Sequence, residues 1–321
     1  MNDIRTIALI AGVLTLLTAA TAIGQFLRRH PDRGLDPAAV NTFNLRLRGW
    51  WIMCTVLAAA FWLGTTATVV LFGLVSFWAL REFITLTPTR KGDHRALFWV
   101  FFLFTPLHYV LVALNRYDIF SVFLPVYATL FVLARVAVAG DYKRFLERTA
   151  KIQAGLVVCV YCLSFAPALL HVRIPGAEAD LYRGGNFRLL FFLILLVQFA
   201  DCMQYAWSRM LGRRLVAPSV SSNRTWEGLL GSATCTALLA AVLWWAAPPF
   251  EPWQAALAGF VVAIMGFAGG MTMSAIKRDR GVKDYGTLVV GHGGVLDRID
   301  SMCFAAPVFY HITQLVAGGT P

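Results

Sequence analysis

The sequence predicts an all-α, polytopic integral membrane protein with about ten transmembrane helices, and three observations carry that reading. Hydrophobic residues make up 58% of the 321 positions and charged residues 14%, with a positive mean hydropathy, far from the average soluble domain. The apolar runs reach the roughly 20 residues that a hydrocarbon core about 30 Å thick demands of a helix. Basic residues recur in alternate connections, as expected when one face of the membrane is cytosolic.

In chain order the runs lie at 5–27, 48–64, 66–86, 96–114, 118–139, 151–172, 187–207, 228–248, 254–276 and 301–317. The first contains Ala20-Thr21-Ala22, which is like a signal-peptide cleavage site. Its leading region holds Asp3 and Arg5, however, and the charges after it are strongly basic, the reverse of a secretory signal, so it is read as a helix. The second and third runs share a very short join at 64–66. The loops after the first, third, fifth, seventh and ninth runs hold the basic clusters, for example Arg90, Lys91 and Arg95, or Lys143, Arg144 and Arg148. The opposite side has only Arg5, Arg116 and the group Arg173, Arg183 and Arg188, which places both termini outside. This asymmetry accounts for much of the +11 net charge without nucleic acid, and it suits anionic headgroups and anionic soluble substrates.

The six cysteines, Cys54, Cys159, Cys162, Cys202, Cys235 and Cys303, fall within apolar runs or at their ends. Cys159 and Cys162 have C-x-x-C spacing but no second pair or loop histidine, so they are read as thiols in helix packing. Ionisable groups are sparse in the first six runs and border three polar clusters in the last four. Residues 1–186 are therefore expected to form an N-terminal scaffold half and 187–321 a catalytic half, with a cytosolic signature loop at 274–300.

The seventh run ends FADCMQYAWSRMLGRR, which puts Asp201 about two turns inside the membrane. A carboxylate there is costly unless paired, metal-bound or facing water, which makes it a functional candidate. Gln204 and Tyr205 lie one step along the same helix. The next loop, APSVSSNRTWEG, offers Ser221, Asn223, Arg224 and Thr225 either as phosphate ligands at a helix start or as a solvated turn and cap. In the ninth run Gly266, Gly269 and Gly270 make a narrow packing face. Beyond it, Ser274 to Asp300 holds five basic residues, four aspartates, His292 and the pair Gly293-Gly294. Glycines let amides approach phosphate and aspartates hold a hard cation such as Mg²⁺. A merely solvated loop explains the lysines and arginines but not four aspartates beside a negative membrane face.

This loop resembles the signature of the phosphatidate cytidylyltransferase family, or CDP-diacylglycerol synthases: S-x-aliphatic-K-R, four residues, K-D-x-small, then H-G-G-aliphatic-x-D-R-aliphatic-D. Ser274, Ile276, Lys277, Arg278, Lys283, Asp284, Gly286, His292, Gly293, Gly294, Val295, Asp297, Arg298, Ile299 and Asp300 match in register. Asp201, Tyr205, Arg209 and Gly212 fit the family's D-x-x-x-Y-x-x-G-K-x-x-G segment. Ser221, Asn223, Thr225, Trp226, Glu227 and Gly228 fit its S-P-N-K-T-W-E-G segment. The resemblance is sharp over residues 195–305. Departures are Gln204 at a normally small position, Ser208 for Gly, Ser222 for Pro, Arg224 for Lys, and Val289-Val290; the Gln204-Tyr205 pairing is similar to a divergent bacterial branch.

The resemblance implies that CTP and phosphatidate give CDP-diacylglycerol and pyrophosphate, with Mg²⁺ and an additional monovalent cation as an option. It implies Asp201, Asp284, Asp297 and Asp300 as metal ligands and Lys277, Arg278, Lys283 and Arg298 as phosphate-holding cations, with His292 orienting a phosphate or protonating the leaving group. Ser221, Asn223, Arg224, Thr225, Tyr205, Ser274, Gly293 and Gly294 would steady substrate. It further implies a homodimer in a bacterial inner membrane, with the site facing the cytosol and open sideways to the bilayer. A cytidylyltransferase for another phosphorylated lipid, a phospholipid transporter and an inactive membrane scaffold stay open as alternatives.

Overall fold

Without water to receive their backbone groups, long apolar runs must satisfy N–H and C=O internally, which favours helices. The computed structural model describes residues 4–29, 37–86, 89–174, 186–286 and 293–318. These form the helices α1 (Ile4–Arg29), α2 (Pro37–Leu63), α3 (Thr65–Leu86), α4 (Lys91–Ala113), α5 (Tyr117–Ala137), α6 (Phe145–His171), α7 (Phe187–Leu211), α8 (Trp226–Val242), α9 (Pro252–Asp279) and α10 (Leu296–Val316). The protein is an all-α polytopic membrane protein. Six of the described helices, α3 to α7 and α9, are long and apolar enough to cross a membrane; Leu47–Leu63 and Trp226–Val242 are shorter apolar helices.

Gly64, at φ 103°, is the single residue between α2 and α3. A left-handed backbone is open to glycine at little cost, which explains how so short a join reverses the chain. Widened π turns interrupt α4 at Val100–Phe104, α5 at Phe123–Ala128 and α6 at Leu156–Cys162. In α4 the turn precedes Pro106, whose missing N–H breaks the regular ladder, and the Thr105 hydroxyl donates to the Val100 carbonyl (2.9 Å).

Helices α7, α8, α9 and α10 pack as neighbours, and α10 also lies against α3 and α6. Small residues set the distances. A Cβ on Gly259 of α9 would stand 2.7 Å from Ala240 of α8, and one on Gly269 would stand 2.6 Å from the Asp300 carbonyl. One apolar cluster runs from Val69 to Ala317 through both halves of the chain. The cysteines are all free, Cys159 and Cys303 fully buried in that core.

At the membrane end shared by α4 and α6, Arg148 is buried against Asp93. Its Nε donates to Oδ1 (3.1 Å), and Nη1 lies 2.8 Å from Asp141. The Arg148 and Asp93 side chains are 4% and 1% exposed. Removing one partner of such a pair strands the other, at a cost of about 3–5 kcal/mol. Arg148→Met should therefore lower the thermal unfolding temperature of the detergent-solubilised protein sharply, and adding Asp93→Asn should recover much of the loss.

Candidate active site

The polar chemistry converges where α7, α9 and α10 meet. Glu82, near the end of α3, is 5% exposed and accepts from the amides of Val295 (3.0 Å) and Leu296 (2.8 Å). These are among the N–H groups that the first turn of α10 leaves without helical partners, and a carboxylate there also meets the positive end of the helix dipole. The fit leaves no room for side chains. A Cβ on Gly286 would stand 2.8 Å from one Glu82 oxygen, and one on Gly294 would stand 2.5 Å from the other. Gly293, at φ 86°, makes the preceding turn.

Asp297, in the first turn of α10, is held on both oxygens. Lys277 Nζ donates to Oδ1 (2.8 Å), and the amides of Tyr285 and Gly294 donate to Oδ2 (2.9 Å each). Lys277 thus ties the end of α9 to the start of α10. Tyr285 lies beneath the Lys277 ammonium, 5.4 Å from ring centre to Nζ, and donates its hydroxyl to the Met273 carbonyl (3.0 Å). Burial pushes the Tyr285 phenol far above its ordinary range, so it serves as a neutral anchor rather than an acid or base.

Above this frame opens a cavity of 270 Å³. Asp201 and Gln204 reach it from α7, Arg224 from the loop before α8, Ser274 and Lys277 from α9, and Asp284, Asp297, Arg298 and Asp300 from the signature loop and α10. The Ser301 hydroxyl lies 2.9 Å from Asp201 Oδ1 and 3.4 Å from Asp300 Oδ1, so two carboxylates converge on one hydroxyl. Neither has an ion pair among the described residues. Buried Arg298 Nε has no hydrogen-bond partner among them either. Hard oxygen donors with uncommitted lone pairs suit a cation such as Mg²⁺, and an unpartnered guanidinium edge suits a phosphate. The described residues hold no cluster of three or more His, Cys, Asp or Glu side chains spaced to enclose a metal by themselves. Any such ion would draw further oxygens from substrate or water, as Mg²⁺ commonly does.

Arg224 crosses the glycine face of α9. Its guanidinium donates to the Phe267 carbonyl (3.1 Å) and occupies the space that a Cβ on Gly270 would need, 2.0 Å away. Thr225 caps α8, its hydroxyl accepting from the Gly228 amide (3.0 Å). Ser221 and Asn223 sit in the exposed part of this loop, with the Ser221 hydroxyl accepting from the Asn223 amide (3.4 Å). Arg278 donates to the Val220 carbonyl (3.3 Å), stitching the loop to α9. Tyr205 is exposed and receives a hydrogen bond from Arg209 (3.0 Å), outside the cavity lining. Lys283 is exposed in the signature loop. His292 lies outside the described residues.

Two departures noted in the sequence prove to be coupled. Gln204 Nε2 donates to the Ser208 hydroxyl (2.9 Å), which also meets the Thr225 hydroxyl (3.0 Å). A glycine at 208 would leave Gln204 and Thr225 without this partner. Glu82 was missed altogether: it sits at the polar end of an apolar run, more than 200 residues from its partners, and no local pattern marks it.

Truncating Glu82 should free the amides it holds. Charge-assisted bonds of this kind contribute about 1.5–3 kcal/mol. Hydrogen exchange at Val295 and Leu296 should therefore accelerate at least tenfold in Glu82→Ala, while exchange in the core of α6 stays unchanged.

The model of the cytidylyltransferase family matches residues 44–316. The chain is 36% identical over 310 residues to the uncharacterized protein YnbB of Escherichia coli, covering 95% of this chain and 97% of that one. It is 34% identical over 152 residues to the phosphatidate cytidylyltransferase of Haemophilus influenzae, covering 46% of this chain and 52% of the relative. For the phosphatidate cytidylyltransferase of Staphylococcus epidermidis the figures are 34% over 183 residues, 53% and 70%. The chain thus spans about half the length of the Haemophilus enzyme.

Proposed function

The chain belongs to the cytidylyltransferase family, and we propose that it transfers the cytidylyl group of CTP to phosphatidate, giving CDP-diacylglycerol and pyrophosphate. The observation that carries this reading is the cavity in which two carboxylates without an ion pair among the described residues, Asp201 and Asp300, line the same space as cations from three separate segments, Arg224, Lys277 and Arg298. A nucleotidyl transfer needs both. A lipid phosphate oxygen attacks the α-phosphorus of CTP as the bond to the β-phosphate oxygen breaks, and the pair of electrons leaves on pyrophosphate. The phosphate nucleophile is already ionised near neutral pH, so no general base is required.

In this reading Asp201 and Asp300 would hold Mg²⁺, and exposed Asp284, which lines the same cavity, could supply a further oxygen. When bound, the ion would neutralise charge that builds on the triphosphate. Asp297, whose oxygens are occupied by Lys277 and two amides, takes the part of an organiser that fixes the Lys277 ammonium towards the phosphates. Arg298 presents its unpartnered edge to a phosphate oxygen, and Arg224, braced on the Phe267 carbonyl, closes the opposite wall. Arg278 and Lys283 add positive potential at the entrance. Of the remaining motif residues, Ser221, Asn223, Thr225, Gly293 and Gly294 shape the loops beside the cavity, and Ser274 lines it from α9. The assignments of His292 to a phosphate and of Tyr205 to substrate, like a homodimeric state, rest on the motif resemblance alone.

The basic ends of α3–α4, α5–α6, α7–α8 and α9–α10 all lie at the membrane end that holds the cavity, which supports an inner-membrane protein with its site facing the cytosol. Gln204 favours a second reading within the same chemistry. Its side chain lines the cavity where the family normally has a small residue, which would alter the space left for the acceptor and points to a phosphorylated lipid other than phosphatidate.

Purified protein incubated with labelled CTP, phosphatidate and Mg²⁺ should form CDP-lipid and pyrophosphate in equal amounts. Asp300→Asn should lose on the order of 10²–10³-fold in turnover, the scale of removing a group that stabilises transition-state charge. Folded protein that binds CTP but ignores phosphatidate would move the assignment to another lipid acceptor. Failure to bind CTP would favour transport or an inactive scaffold. Chelation by EDTA should abolish turnover and added Mg²⁺ restore it; full activity after exhaustive chelation would overturn the metal assignment.

A further inference from the structure

A second cavity, of 680 Å³, lies between the start of α4 and the end of α5. Lys91 and Arg95 line it from α4, and Phe131, Ala134, Arg135 and Val138 from the end of α5. None of these residues borders the catalytic cavity. The carboxylates of this region are already neutralised: Asp93 by Arg148 (3.0 Å), and Asp141 by Arg148 (2.8 Å) and Arg90 (3.0 Å). Hydrogen bonding from Arg90 holds the Asp141 carboxyl below its usual range, so that pairing persists well into acid. Lys91, Arg95 and Arg135 are left without an ion pair among the described residues, and three like charges around one cavity call for an anion.

The apolar wall narrows the choice of anion. Val138 is 81% exposed, and Phe98 and Phe102 on the same part of α4 are 58% and 64% exposed, a surface suited to hydrocarbon. A soluble phosphate would use the cations alone, whereas a phospholipid uses both surfaces at the depth where headgroup meets acyl chain. We infer that this cavity binds the phosphate headgroup of an anionic phospholipid, with its acyl chains along the α4–α5 face, at a site separate from the catalytic cavity.

Native mass spectrometry of the full chain in detergent, titrated with phosphatidylglycerol, tests this. Each basic residue near an anionic headgroup contributes a factor of roughly five. Arg95→Gln with Arg135→Gln should therefore weaken binding at one site by about 30-fold, and exposed Lys91→Gln by about fivefold, with unfolding temperatures close to that of the parent protein. Phosphatidylcholine should not occupy the site, and millimolar inorganic phosphate or pyrophosphate should not displace phosphatidylglycerol from it. Equal retention by parent and Lys91→Gln proteins, or equal binding of phosphatidylcholine, would overturn the proposal. Displacement by free phosphate would overturn its lipid part and leave a soluble-anion site.

Discussion

The geometry of the polar cavity depends on one carboxylate that belongs to a different part of the chain. Glu82 closes the amides of Val295 and Leu296, and so fixes where α10 begins. A charged side chain at the edge of a membrane helix is costly in isolation. Two charge-assisted hydrogen bonds and the helix dipole offset that cost here, and the anion gains a place that water would otherwise fill. Once α10 starts at this point, Asp297 falls in its first turn, within reach of Lys277, and Asp300 falls one turn on, beside Asp201. Gly286 and Gly294 are glycines because the Glu82 oxygens occupy the space of their missing side chains.

The same end of the molecule treats its acidic groups in two opposite ways. Asp93 and Asp141 are closed off by Arg148 and Arg90, and act as fixed struts between α4 and α6. Asp201 and Asp300 share one hydroxyl and keep lone pairs facing a cavity. Desolvation favours the first arrangement wherever stability alone is at stake. The second persists against that pressure, which is the physical ground for reading it as a place where a cation and a substrate complete the coordination.

Much of this was legible in the amino-acid order, and the limits have physical causes. The signature loop carries its residues within 27 positions, so their convergence with Asp201 followed from helix direction alone, and the narrow face Gly266, Gly269 and Gly270 could be read from spacing. Contacts that bridge distant helices left no such trace. Glu82 resembled a boundary charge on an apolar helix, and Arg148 resembled one more basic residue of a positive loop, although it is buried. Helix ends also shifted: α2 begins at Pro37, well before the apolar run at 48, because polar residues such as Asn41 and Asn44 continue a helix that hydropathy alone cuts short. The π turns of α4, α5 and α6 were invisible, since hydrophobicity does not register the pitch of a fully apolar segment.

Gln204 and Ser208 show why departures from a motif are better judged in pairs. Taken singly, each replaces a small residue by a larger polar one, which looks like decay of the site. Together they form a hydrogen-bonded link from α7 to Thr225, the cap of α8, and the Ser208 hydroxyl fits in space that the motif glycine Gly228 leaves open, 2.0 Å from where a Cβ would stand. A decaying site accumulates unpaired polar groups, because each one costs about 1–3 kcal/mol and nothing selects for its partner. Here the added groups satisfy one another. The wall beside Asp201 is therefore a set of mutually satisfied polar contacts and not a group of stranded ones, which is the arrangement expected of a site kept in working order.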